Sequence, residues 1–270
     1  MKKISVMSLN IWNDQGPWPQ RARLIRDEIE SLQPDLIGFQ EVLRGEGVDL
    51  LDEILAGTSY HRDFVVAEES LPRPGVVFGN AIASRWPIAS RAELILPNVE
   101  GNEARAALYC TVESTIGSVC IGCTHLNWKV DQGAIRERQV VALVDHLLSE
   151  CVSIEFPPIL VGDFNAVPES AEIRYLKGLQ SLDGKSVYFR DAWSHAGDGS
   201  EGLTWSRKNP YVMQWLDPDR RIDYIFVGLP QPGGWGEILS CKIVCASERE
   251  GVWPSDHFGV YAELQTENQT

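Results

Sequence analysis

The sequence predicts an α/β domain. Apolar, strand-like runs recur along its 270 residues, while two segments carry helical spacing instead. At 30.1 kDa the chain can bury a large core in one domain, taken here as residues 1–270. In chain order, a mostly apolar strand is expected over 4–13. A helix over 21–32 follows, with apolar residues at 25, 29 and 32, stopping before Pro34. The near-continuous apolar run at 35–42 reads as a strand covered on both faces. Further strands are expected at 60–67, 77–84, 88–96, 105–114 and 116–124. The second helix, over 133–150, puts Val140, Val144, Leu147 and Leu148 on one face. A strand running from Ile159 to Asp163 comes next, and 221–228, 237–246 and 257–264 complete the set. Residues 185–220, with Trp193, His195, Trp205 and Trp215, read as a long loop at a functional site.

Composition narrows the function classes. The chain carries 24 basic and 38 acidic side chains, a net charge of −14. The basic residues are local rather than striped: Arg21, Arg23 and Arg26 on one helix, Arg136 and Arg138 on the other, and Arg207, Lys208, Arg220 and Arg221 near a late strand. That argues against a processive nuclease, which tracks a phosphate backbone with a basic stripe. It leaves room for a nuclease whose positive charge is supplied by a divalent metal. No run of eighteen apolar residues exists, so no membrane span is expected. Met1-Lys2-Lys3 runs straight into a strand, which suggests a cytoplasmic protein, expected to be a monomer. Five of the six cysteines lie in apolar strand-like segments, and reduced core thiols are the expectation. Cys120 and Cys123 have zinc-like spacing, but on a strand they face opposite sides.

Polar groups recur at strand ends. In I-L-V-G-D-F-N, Asp163 and Asn165 point to one side and Phe164 to the other. Asn10 ends the first strand, Glu41 the second, and His125 sits in V-C-I-G-C-T-H-L-N-W. Asp223 interrupts R-I-D-Y-I-F-V, and Asp256-His257 opens the last strand. Each has an ordinary reading when taken singly. Asp163 and Asn165 suit an Asx turn, Asn10 a turn, Glu41 the neighbourhood of a helix N-cap, Asp223 a buried partner for Arg220 or Arg221, and His125 a satisfied core histidine. Burying an ionisable group costs several kcal/mol unless it is paired or metal-bound, so repeated placement asks for one common cause.

The ordered set Asn10, Glu41, His125, Asp163, Asn165, Asp223, Asp256 and His257 closely resembles the endonuclease/exonuclease/phosphatase superfamily, from one end of the chain to the other. That resemblance implies a four-layer α/β/β/α sandwich of two mostly antiparallel sheets. It also implies a metal-dependent phosphoric ester hydrolase. Asn10, Glu41 and Asp256 are oxygen ligands suited to a hard cation, Mg²⁺ or Mn²⁺. By the same resemblance Asp163 orients and deprotonates the attacking water, and Asn165 holds that water or a phosphate oxygen. Asp223 supports His257, which donates to the phosphate, and His125 contacts the phosphate or helps the leaving group. Arg44, Asn80, Arg105 and Trp128 are secondary substrate candidates, with Trp12, Trp205 and Trp253 as further aromatic wall. H-L-N-W followed by R-E-R-Q at 136–139 looks like the tyrosyl-DNA phosphodiesterase, sphingomyelinase-like and deadenylase side of the superfamily. The expected substrate is a small-molecule, sugar or lipid phosphoester. The alternatives are a DNA or RNA nuclease or DNA-end-processing phosphodiesterase and, more remotely, a non-catalytic binding module.

Overall fold

The computed structural model describes residues 2–69, 73–152, 154–213 and 216–266. Its elements run β1 (Lys3–Asn10), α1 (Trp18–Leu32), β2 (Leu36–Gly45), β3 (Val48–Asp49), α2 (Leu50–Ile54), β4 (His61–Glu69), β5 (Val76–Ser84), β6 (Ile88–Ile95) and β7 (Ala106–Ser114). They continue with β8 (Gly117–His125), α3 (Gly133–Glu150), β9 (Ile159–Asp163), α4 (Ala171–Leu176), β10 (Arg190–Asp191), α5 (Ala192–Ala196), β11 (Asp223–Val227), β12 (Ile238–Val244) and β13 (Gly259–Gln265). One sheet is ordered β12-β13-β1-β2-β5-β4, with β3 paired to β2, and the other β10-β11-β9-β8-β7-β6. Each is antiparallel except at its centre. There a single parallel pair, β1 with β2 or β8 with β9, is joined through a helix, α1 or α3. Parallel strands need such a crossover.

Period-two alternation sorts the side chains into layers. Ile4 and Val6 of β1, Ile121 and Cys123 of β8, Ile159 and Val161 of β9, and Ile225 and Val227 of β11 fill one core between the sheets. Met7, Leu9, Ile37 and Phe39 face the other way, onto Ile25 and Ile29 of α1. Cys120, Leu160, Tyr224 and Phe226 pack against Val140, Val144 and Leu147 of α3. These are the four layers α/β/β/α. The same alternation puts Asn10, His125, Asp163 and Asp223 on the inner faces, one step beyond the apolar residues, so polar groups cap one end of the inter-sheet core.

The expected strands and both helices are present. Helix α1 begins earlier than its apolar stripe suggests, at Trp18, with a proline in its first turn. The short α2, α4 and α5 give too little periodicity to be read from sequence, and 185–220 contains β10 and α5 as well as loop. Trp215 lies outside the described residues.

The thiol expectation needs correcting. Cys120 and Cys151 form a disulfide, with Cα atoms 6.0 Å apart. Cys120 lies on the helix-facing side of β8, and Cys151 is the residue that caps α3. Strand periodicity shows that Cys120 leaves the inter-sheet core, but not that the end of α3 returns over it. Cys123 stays in the inter-sheet core and is free, as are Cys110, Cys241 and Cys245. The C-x-x-C pair is thus split between two layers. Among the described residues no helix is long and apolar enough to cross a membrane.

Candidate active site

Three of the polar groups form a row because three strands are in register. His125 pairs with Asp163 across the parallel β8–β9 ladder, and Asp163 pairs with Asp223 across the antiparallel β9–β11 ladder. His125 Nε2 lies 3.4 Å from Asp163 Oδ2. From the opposite sheet Asn10 donates its Nδ2 to the same Asp163 Oδ2 at 3.1 Å and to Glu41 Oε1 at 3.1 Å, which joins the two sheets at this end.

Glu41 reaches the row by a departure from regular strand geometry. In regular alternation it would follow Ile37 and Phe39 into the helix layer. The β2–β5 register shifts between Phe39 and Val42, and Glu41 adopts φ 61°, so a bulge turns its side chain into the cleft instead. The loop after β1 is also left-handed, at Trp12 (φ 56°) and Asn13 (φ 35°). Asn13 donates to Glu41 Oε2 at 3.1 Å. Beneath this loop lies Arg21, fully buried. Its guanidinium donates to the carbonyls of Ile11, Asn13 and Gln15 and sits 4.8 Å from the centre of the Trp12 ring. Such non-glycine left-handed residues cost roughly 1–3 kcal/mol each and cluster at functional sites. Asn165 is another, at φ 51°: its N–H donates to Asp163 Oδ1 at 2.9 Å and its Nδ2 to the Leu126 carbonyl at 3.1 Å.

On the far side His257 Nδ1 lies 2.9 Å from Asp223 Oδ2, and its Nε2 3.7 Å from Asp163 Oδ2. Burial pushes the His257 imidazolium down, but Asp223 and then Asp163 outweigh it and hold it well above the ordinary range. Burial, then the Asp223 charge, lift the Asp163 carboxyl to about 7 against the pull of His257. The Thr204 hydroxyl accepts from the N–H groups of Ile222 and Asp223, at 3.0 and 3.1 Å, and fixes the start of β11. Trp205 covers His257 edge to face, with ring centres 4.9 Å apart.

Asp256 sits beside Ser255, whose hydroxyl donates to the Asn10 carbonyl at 2.7 Å and lies 3.3 Å from Asp256 Oδ1. Burial lifts its carboxyl to about 7; His257 and Arg21 pull against that rise and the Glu41 charge adds to it. A Glu41 charge beside a buried Asp256 carboxyl fits a site completed by a hard cation, and the oxygen donors of Glu41, Asp256 and Asn10 are of the right chemical type. A second group, Asp163, Asp223 and His257, brings its ligand atoms within 4.8 Å of one another. Its members already satisfy one another through the 2.9 Å His257–Asp223 bond, although Asp223 Oδ1 is buried with no hydrogen-bond partner among the described residues. In that group His257 faces both carboxylates, 2.9 Å from Asp223 and 3.7 Å from Asp163.

The cleft encloses about 660 Å³, with Glu41, His125, Asp163, Asn165, Asp256 and His257 all in its lining. Arg105 and Trp128 line it too. Arg44 does not: it pairs with Asp49 at 2.8 Å, because the β2–β3 turn places a carboxylate directly opposite it. Asn80 is buried and spends its Nδ2 on the Ala106 carbonyl, 2.8 Å away in the other sheet. Of the aromatic candidates, Trp12, Trp128 and Trp205 line the cleft. Trp12 is held between Arg21 and Tyr211, whose ring is stacked 4.8 Å away, and Trp253 stacks on Phe258 outside the cleft. Trp128 is 42% exposed. Arg136 is buried against Glu172 at 2.6 Å and donates to the Asn127 and Lys129 carbonyls, while Gln139 holds Asn127. The R-E-R-Q segment therefore braces the loop bearing Trp128. Sequence reasoning gave no role here to Asn13, Ser255, Thr204 or Arg21: Asn13 holds the Glu41 side chain, and the other three act on backbone groups brought together by the fold.

The family profile described as Endonuclease/Exonuclease/phosphatase family matches residues 7–257. Nocturnin of Xenopus laevis is 28% identical over 181 residues, covering 63% of this chain and 46% of that protein, and human Nocturnin 26% identical over 181 residues, covering 63% and 41%. The chain thus spans less than half the length of these relatives. In structure, D. rerio TDP2 complexed with single strand DNA product superposes with a TM-score of 0.75 at 19% identity, covering 98% of this chain and all of that one. The human Nocturnin catalytic domain with bound sulfate anion gives 0.74 at 22% identity, covering 97% and 93%.

Proposed function

The chain belongs to the endonuclease/exonuclease/phosphatase family, and on that premise we propose that it is a metal-dependent phosphoric ester hydrolase acting on a compact phosphoester. The observation that carries this reading is the convergence of Glu41 and Asp256 from one sheet, and Asp163 with the Asp223–His257 pair, at one end of the inter-sheet core. Glu41, Asp256 and Asn10 would hold the divalent cation, Mg²⁺ in our reading or Mn²⁺. When bound, it supplies Lewis-acid polarisation of the phosphoryl group and neutralises developing charge.

The protein's own groups do the rest. Asp163, whose carboxyl is lifted toward neutral pH, takes a proton from a water that it and Asn165 orient for attack. His257, kept protonated by Asp223, donates to a phosphoryl oxygen as charge builds. The rim supports a compact substrate. Arg21 and Arg136 are buried and cannot track a backbone, and Glu68, Glu69, Glu103 and Asp217 line the cleft beside Arg105 and Arg220, a charge balance that repels a long polyanion.

A second reading, hydrolysis at the end of a short single strand, is favoured by the D. rerio TDP2 structure, which holds a single strand DNA product. The test is hydrolysis of bis-p-nitrophenyl phosphate, phosphorylated sugars and lipids, and short single-stranded oligonucleotides, each with Mg²⁺ and after chelation. We expect metal-dependent turnover, fastest on the compact esters. Faster cleavage of the oligonucleotide would select the second reading, and turnover surviving chelation would overturn both.

A further inference from the structure

The two histidines of the cleft meet opposite partners through the same ring atom. His257 turns Nδ1 to a carboxylate, Asp223; His125 turns Nδ1 to a guanidinium, with Arg105 Nη1 3.1 Å away. Arg105 is 2% exposed, just ahead of β7, and its Nη2 donates to Glu103 Oε2 at 2.7 Å. Phe78 closes the arrangement, its ring centre 5.9 Å from the guanidinium and 6.4 Å from the imidazole. A guanidinium offers donors only and keeps its proton in proteins. The 3.1 Å contact is therefore a hydrogen bond only if His125 Nδ1 carries no hydrogen. An Nδ1–H would set two donors against each other, and an imidazolium would add two cations in contact inside a buried wall.

We infer that Arg105 is a positioning residue that fixes His125 as the neutral Nε2–H tautomer, making that N–H the donor His125 offers to a bound phosphoester. The last step rests on the proposed function. The other groups facing the ring agree with this assignment. Nε2 points toward Asp163 Oδ2, an acceptor at 3.4 Å, and His257 across the cleft carries the positive charge. Burial, then Arg105 and then His257, also hold His125 well below its ordinary range. The cleft thus holds one charged and one uncharged histidine, set apart by what each Nδ1 touches.

Nitrogen-15 correlation spectra of the labelled full chain read the tautomer directly, with the His125 signals identified by their loss in His125→Gln. We expect the neutral Nε2–H pattern from about pH 6 to 8. In Arg105→Met the pattern should give way to mixed tautomers or an imidazolium that titrates in that range, with kcat on bis-p-nitrophenyl phosphate lower by about 10- to 100-fold. Arg105→Lys, which restores a donor and a charge, should recover the tautomer and part of the rate. An Nδ1–H or imidazolium pattern in the parent overturns the inference, and so does an unchanged pattern in folded Arg105→Met. The parent spectrum decides the matter even if Arg105→Met does not fold. No substrate is needed for the spectra, so a parent that shows Nε2–H yet hydrolyses no phosphoester refutes the proposed function while leaving the tautomer standing.

Discussion

The β1–α1–β2 and β8–α3–β9 units solve the same problem in different ways. Each joins the central parallel pair of its sheet through a helix and delivers polar side chains to the same end of the core. In the second unit the delivery is plain alternation: His125 and Asp163 continue the inner faces of Ile121, Cys123, Ile159 and Val161. In the first, Asn10 follows alternation, but Glu41 arrives only through a bulge and a left-handed backbone, braced by Asn13 and the buried Arg21. The contrast teaches that regular register suffices to stack buried groups against one another. Bringing a second carboxylate near Asp256 takes a local break in the strand.

If the register row is the acid–base half, changes there should carry the largest effects. Asp163→Asn and His257→Ala should each lower kcat by a factor on the order of 10² to 10⁴ with the fold kept. Asp223→Asn combined with His257→Ala should cost little more than His257→Ala alone, since the 2.9 Å bond makes the pair one unit. Steady-state kinetics on bis-p-nitrophenyl phosphate check this, and additive losses would separate the pair. The two units also differ in how their helices are tied down. Removing the Cys120–Cys151 link by a double alanine substitution should lower unfolding stability by roughly 2–4 kcal/mol in denaturant titrations, acting on the second unit alone. An unchanged midpoint would show that the link is not formed in solution. The smallest effect belongs to the bulge. Because Glu41 sits at φ 61°, Glu41→Gly should be more stable than Glu41→Ala by about 1 kcal/mol, the reverse of the order in a regular strand. Equal stabilities would argue against the left-handed turn.

The same contrast governs what the sequence made legible. Apolar runs and period two located the strands, and with them Asn10, His125, Asp163 and Asp223 at strand ends, while helical spacing located the two long helices. Glu41 and Asp256 were placed at strand ends in the same way, but their role as ligands came only through resemblance, because nothing in V-L-R or P-S-D announces a bulge or the hydroxyl of Ser255 beside its neighbour. Arg44 lies outside the cleft lining for a related reason: proximity in sequence to Glu41 says nothing about the Asp49 carboxylate that the β2–β3 turn sets opposite it. Arg136 was read as one of a local basic pair on the second helix, yet it is buried against Glu172, a partner 36 residues away that only the packing of α3 on α4 supplies. Trp12 was legible as an aromatic near the site but not as one already covered by Tyr211.

Under the proposed division of labour between the two halves, Glu41, Asp256 and Asn10 would hold the cation, and Asp163, Asp223 and His257 would not. Calorimetric titration of Mg²⁺ into the parent, Glu41→Gln and His257→Ala tests it most directly. The account predicts that Glu41→Gln weakens binding by at least about tenfold, while His257→Ala leaves it within a factor of about two to three. Parent-like affinity in Glu41→Gln together with lost affinity in His257→Ala would contradict it and move the ion to the Asp163, Asp223 and His257 cluster.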